Sequence, residues 1–165
     1  MKEASSAEKL CSGIHHPAIV VPDLSGAIAF YEAALGGELI KQSAWDHGTE
    51  QFDALTGLKD SAAAFCLLRF GHSFLEMFEY DSSRRHDWRT SKADELGIRH
   101  LAFQVNDLQI AEAKFIAAGG STVGEAIHVK GGGSARYCRD PYGNIVELLV
   151  PGGKMPPLGE PDSAK

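Results

Sequence analysis

The segment GIHHPAIVVPDLSGAIAFYEAALGG, starting at Gly13, lies without a gap on GIRHLAFQVNDLQIAEAKFIAAGGS, starting at Gly97, and about half the aligned positions are identical. The identities include Gly13/Gly97, Ile14/Ile98, His16/His100, Ala18/Ala102, Val21/Val105, Asp23/Asp107, Leu24/Leu108, Ala27/Ala111 and Gly36/Gly120. The chain is therefore a duplicated module, and whatever one copy folds into, the other must fold into as well.

Each copy opens with a short apolar run, HHPAIVV or RHLAFQV, whose β-branched and aromatic content predicts a strand. Asp23 and Asp107 follow as helix N-caps, because an aspartate side chain can accept the amide protons left unpaired at a helix start. The alanine-rich stretches Leu24 to Leu35 and Leu108 to Ala118 then read as helices, stopped at Gly36-Gly37 and Gly119-Gly120. Strand-like runs follow at Glu38 to Gln42, Ala64 to Arg69 and Ser73 to Tyr80, and again at Thr122 to Glu125, Ser134 to Arg139 and Ile145 to Val150. Asp140-Pro141-Tyr142-Gly143-Asn144 is a dense turn signal that makes the last two runs a hairpin.

The expected fold is α+β, two tandem βαβββ modules in one domain spanning residues 13–151, with module 1 at 13–80, a linker at 81–96 and module 2 at 97–151. Residues 1–12 and the Pro- and Gly-rich tail 152–165 are expected to be loose, and Trp45 to Asp60 reads as an irregular loop placed to act as a lid.

Sixteen Lys and Arg against 22 Asp and Glu give a net charge of −6, with no basic run to track phosphates, so nucleic acid is not an expected partner. No apolar stretch reaches the roughly 18 residues a bilayer span needs, and no signal-like h-region opens the chain, so a cytoplasmic protein away from membranes is expected. Cys11, Cys66 and Cys138 are too widely spaced for a CxxC motif and read as free, inert thiols.

His16 and His100 stand at the same place in both copies, and the last strand of each copy sets one glutamate, Glu76 or Glu147, inside an apolar run. A lone histidine would be an ordinary surface or packed residue, and a lone glutamate would point outward from a half-exposed strand. Two of each at matching places form instead a mixed nitrogen and oxygen donor set for one divalent ion such as Zn, Ni, Co, Mn or Fe. Four such donors leave coordination positions open for substrate oxygens, as Lewis-acid catalysis requires. His47, His72, His86 and His128 have no repeated partner and read as surface residues, and strand alternation sets His15 on the face opposite His16.

The motifs His16 with Val21-Pro22-Asp23-Leu24 and Ala29-Phe30-Tyr31, then His100 with Val105-Asn106-Asp107-Leu108, and above all Arg139 to Leu148, resemble the vicinal oxygen chelate superfamily. That superfamily includes glyoxalase I, methylmalonyl-CoA epimerase, extradiol dioxygenases and bleomycin or fosfomycin resistance proteins. The resemblance covers about Gly13 to Pro151. It implies a glyoxalase-like cleft between the modules, with a metal bound by His16, Glu76, His100 and Glu147. It further implies a homodimer and a lyase or isomerase reaction on a small substrate with vicinal oxygens, passing a proton through an enediolate or enolate. Glu147 is the first choice of catalytic base and Glu76 its symmetric partner. Trp45, Phe52, Arg69, Phe103 and Tyr137 are candidates for substrate contacts by strand or loop position. An extradiol-type Fe(II) dioxygenase and a small-molecule binding protein using the same cleft are the alternatives.

Overall fold

The computed structural model describes residues 11–82 and 92–159. Among the described residues, eight strands and three helices follow one another as β1 (Ala18–Val20), α1 (Leu24–Leu35), β2 (Glu38–Trp45), α2 (Glu50–Thr56), β3 (Ala63–Phe70), β4 (Ser73–Tyr80), β5 (His100–Gln104), α3 (Leu108–Ala117), β6 (Ser121–His128), β7 (Ser134–Arg139) and β8 (Ile145–Val150). They form two four-stranded sheets with the same topology, β1-β4-β3-β2 and β5-β8-β7-β6. In each sheet the first strand runs parallel to the last and the other pairings are antiparallel. The duplicated βαβββ architecture is thus present in both halves.

The caps act as the repeat predicts. Asp23 and Asp107 are in extended conformation and accept from the amides of Gly26 and Ile110, both at 2.9 Å. Gly36 closes α1 in the left-handed region at φ +70°, whereas α3 closes on Ala118 in right-handed conformation with Gly119 just beyond it at φ +109°. Glu79 accepts from the Leu24 amide at 2.7 Å, which ties the start of α1 to β4.

Helices α1 and α3 share one core with the inner faces of both sheets, including Tyr31, Phe115, Leu68, Leu75, Met77, Val146 and Leu148. Phe30 of α1 meets Phe115 of α3 edge to face at 5.0 Å. Burying each large side chain of this set stabilises the fold by about 1.5–3 kcal/mol, so the modules are joined mainly through their helices. A polar tie adds direction: the buried Tyr31 hydroxyl donates to Asp140 at 2.9 Å, from α1 of one module to the β7–β8 turn of the other. The Asp140 carboxylate also accepts from the amides of Tyr142 and Asn144 and from the Asn144 side chain, which explains how a buried acid is tolerated there. Cys66 and Cys138 are fully buried, with thiols pushed up to about 11 by desolvation, so both are inert at neutral pH.

The stretch from Trp45 to Asp60 is more ordered than its sequence suggests. It holds α2, whose first turn carries Glu50 and Asp53 and whose end is closed by Gly57 at φ +69°. None of its residues is buried, so the helix has no apolar stripe for periodicity to reveal. It is held instead by Asp53, which accepts from the Ser61 amide and hydroxyl, and by Phe52, whose ring stacks on Trp45 at 4.4 Å. Most of the segment expected to link the modules, including His86, lies outside the described residues. Beyond β8, the Leu158 amide donates to Gln104 at 2.6 Å and the Gly153 amide to Gly131 at 3.1 Å, which pins this part of the chain to module 2.

Candidate metal-binding half-sites

In β4, Leu75 and Met77 are buried against the core, so strand alternation turns Phe74, Glu76, Phe78 and Tyr80 to the face away from the helices. Ala18 of β1 lies opposite Glu76, and the Glu76 amide donates to Pro17 at 3.0 Å. This register brings His16, just before β1, alongside Glu76: Nε2 is 3.1 Å from Oε2. Module 2 repeats the arrangement. Val146 and Leu148 face the core, Ala102 lies opposite Glu147, and His100 Nε2 is 3.2 Å from Glu147 Oε2. Side-chain exposures of 33% and 20% in the first pair and 36% and 18% in the second leave both accessible to a small ligand.

An imidazole nitrogen and a carboxylate oxygen each about 2.0–2.2 Å from one ion and at right angles would be about 3 Å apart, so both pairs have the spacing of neighbouring ligands. Each module therefore presents one His–Glu half-site on its outer face. Among the described residues, no three of His, Cys, Asp and Glu come close enough to hold one ion together. The structure pairs His16 with Glu76 and His100 with Glu147, and does not gather the two pairs into one cluster.

Two neighbours that compete with these residues in the sequence separate in the structure, Glu79 as the sequence predicts and His15 against it. His15 does not turn away from His16: its Nδ1 is 2.7 Å from His16 Nδ1, and its ring stacks on Phe74 at 5.1 Å. Both histidines precede β1, so alternation does not govern them. Glu79, a second acid on β4, is committed to capping α1 and faces the helix side, away from His16.

The other candidates separate by environment. Trp45 is buried, donates to Ser61 at 3.2 Å and sits among Phe52, Phe65, Phe78 and Tyr80 with ring centroids 4.4 to 6.1 Å away. Phe65, Phe78 and Tyr80 extend this aromatic wall along the face that bears Glu76. Arg69 pairs with Glu38 at the exposed end of the sheet. Phe103 turns inward from β5 and packs on Tyr31 and Phe70, since His100, Ala102 and Gln104 take the outward positions. Tyr137 lies opposite Glu147, its hydroxyl 3.3 Å from His100 Nδ1. His47, expected to be an uncommitted surface residue, contacts the Asp60 carbonyl at 2.6 Å and Asp81 at 2.7 Å. The Asp60 carbonyl first, and then the charge of Asp81, hold the His47 imidazole above its ordinary pKa.

Paired βαβββ modules, each with a His and a Glu side by side on the face opposite its helix, define a duplicated α+β scaffold with one candidate half-site per module. The chain belongs to the Glyoxalase/Bleomycin resistance protein/Dioxygenase superfamily, whose profile matches residues 13–148. A 2-epi-5-epi-valiolone epimerase from Actinomyces sp. is 32% identical over 154 residues, covering 85% of this chain and 80% of that protein. Among solved structures, a glyoxalase family protein from Bacillus cereus superposes with a TM-score of 0.79 at 24% identity, over 89% of this chain and 99% of that one. A fosfomycin resistance protein from Listeria monocytogenes, solved with Mn(II) and sulfate, shares the fold with a TM-score of 0.58 at 19% identity, over 88% and 98% of the two chains. Among the described residues, no helix is long and apolar enough to cross a membrane.

Proposed function

We propose that this protein is a divalent-metal-dependent epimerase that moves a proton on a carbon next to a carbonyl, in a small substrate with vicinal oxygens. The observation that carries the reading is the repeated His–Glu pair, at 3.1 Å in one module and 3.2 Å in the other. His16, Glu76, His100 and Glu147 would hold the ion, whose role when bound is to polarise the substrate carbonyl as a Lewis acid. The similarity to an epimerase whose name denotes a ketone supports this branch of the family over a glyoxalase-type lyase.

Epimerisation needs a base on one face of the reacting carbon and an acid on the other. Glu147 takes the proton and Glu76, its counterpart in the other module, returns it. The aromatic wall of Trp45, Phe65, Phe78 and Tyr80 stands on the Glu76 side only and gives an apolar surface for the C–H face of a compact ring. The active unit is a homodimer in which a half-site of one chain completes that of another. The exposed Ile14 and Ile98, equivalent in the repeat and flanking the two histidines, provide apolar contacts for it.

The test is deuterium uptake from D2O into 2-epi-5-epi-valiolone, followed by mass spectrometry with Zn(II) or Mn(II) supplied. Glu147→Gln is expected to lower exchange by roughly 10²–10⁴-fold with the fold intact. Undiminished exchange removes Glu147 from the mechanism, and tight ligand binding without exchange in the wild type points to a binding protein. Mixing inactive His16→Ala and His100→Ala chains restores exchange if half-sites pair between chains, because one site per mixed dimer is then intact. No recovery places each site within a chain.

A further inference from the structure

An imidazole that gives Nε2 to an ion must keep its proton on Nδ1, and the partner of Nδ1 sets both tautomer and ring orientation. Resting on the metal reading above, we propose that His15 and Tyr137 are the positioning residues that hold Nδ1 of His16 and His100. His16 Nδ1 meets His15 Nδ1 at 2.7 Å, and the His15 ring is itself fixed by stacking on Phe74 at an interplanar angle of 12°. His100 Nδ1 meets the Tyr137 hydroxyl at 3.3 Å, with ring centroids 5.0 Å apart.

The two modules reach the same result by different residues. In the repeat, His15 corresponds to Arg99, a fixed cation that cannot accept a proton from Nδ1. Tyr137 lies opposite Glu147, whereas the residue opposite Glu76 is Leu67, which has no polar atom to offer. Each module thus lacks the partner that the other uses and supplies its own. Two independent solutions at one functional atom are not expected of neighbours that merely fill space.

The proton bookkeeping gives a signature that simple packing would not produce. On this pairing, the chain without an ion is expected to carry the His16 proton on Nε2, beside Glu76, and to have His15 Nδ1–H donate to His16 Nδ1. Once Nε2 faces an ion, His16 Nδ1–H becomes the donor and His15 Nδ1 the acceptor. At the second half-site, Tyr137 changes in the same way from donor to His100 into acceptor, and its own proton is freed for a ligand beside Glu147.

Calorimetric titration of the full chain with Zn(II), combined with ¹⁵N NMR of the imidazoles before and after addition, tests this. Tyr137→Phe and His15→Phe are expected to weaken Zn(II) by about 10–100-fold, the usual effect of losing such a partner, while His15→Gln, which keeps an acceptor, retains most of the affinity. The ¹⁵N shifts should show Nε2–H tautomers of His16 and His100 in the metal-free chain and Nδ1–H tautomers in the loaded one. Wild-type binding with both Phe variants within threefold of it overturns the proposal, as do metal-free ¹⁵N shifts of His16 and His100 that stay unchanged in His15→Phe and Tyr137→Phe. A wild-type chain that takes up no Zn(II) overturns the metal reading instead, and the metal-free ¹⁵N shifts still decide the pairing.

Discussion

Replacing Tyr31 by Phe removes one oxygen from the centre of the molecule, and the cost follows from what that oxygen does. Tyr31 is fully buried and donates at 2.9 Å to Asp140, whose other partners are two backbone amides and the Asn144 side chain. A hydrogen bond to a charged group contributes about 1.5–3 kcal/mol, and the ring itself remains to fill the core, so Tyr31→Phe should cost about 2 kcal/mol at pH 7. For a chain of this size that is a fall in Tm of about 4–8 °C. The loss should also depend on pH. Burial already raises the Asp140 carboxyl above its ordinary value, and the Tyr31 bond is one of the contacts that pull it back. In the variant the folded-state pKa rises further, so the penalty is full where Asp140 is ionised and shrinks as pH falls through that pKa. Urea denaturation at pH 7 and at pH 4 measures both. A loss below about 0.5 kcal/mol at pH 7, well under the range for a charged hydrogen bond, or one equal at both pH values, would refute the view that Asp140 is a buried ionised acceptor joining the modules.

Asp107→Ala should cost about 1 kcal/mol in urea denaturation and Asp23→Ala should lower the midpoint in the same direction, the two effects nearly adding in the double variant, because each removes one N-cap bond at separate helix starts. His47 has a raised folded-state pKa, so its stabilising contribution is complete below its ordinary value of 6.5 and is lost as pH rises through the folded one. The difference in Tm between wild type and His47→Gln should therefore shrink steadily above pH 6.5, and a constant difference from pH 6 to 9 would separate His47 from the Asp60 and Asp81 contacts.

The fold was legible because duplication repeats each local signal: the same cap, alanine-rich helix and glycine stop occur twice, and an error in one copy would contradict the other. The His and Glu pairs were legible for the same reason. What escaped had no repeat and no period. Helix α2 has no buried face, so only its capping residues and the Asp53–Ser61 bonds reveal it. His15 was misjudged because alternation was extended three residues beyond the strand that imposes it. Phe103 shows the opposite case, in which alternation holds and places the ring in the core while its neighbours face outward. His47 gave no signal because its partners, Asp60 and Asp81, are distant in sequence and brought together only by the β3–β4 hairpin.

The two half-sites are alike in their candidate ligands and unlike in everything around them. The imidazole nitrogen and the carboxylate oxygen stand at nearly the same separation in either module. Beside Glu76 stand the stacked rings of Phe65 and Phe78, whereas beside Glu147 stands the hydroxyl of Tyr137. A substrate held between them would meet an apolar wall on one face and a hydrogen-bonding group on the other. On the proposed epimerase reading, the two carboxylates would serve removal of a proton from one side and its return from the other, and the unequal walls would keep the substrate from turning over between the two steps. If the epimerase reading holds, symmetry in the candidate ligands with asymmetry in the walls would suit inversion at one carbon, and duplication followed by divergence of the neighbours is a direct route to it.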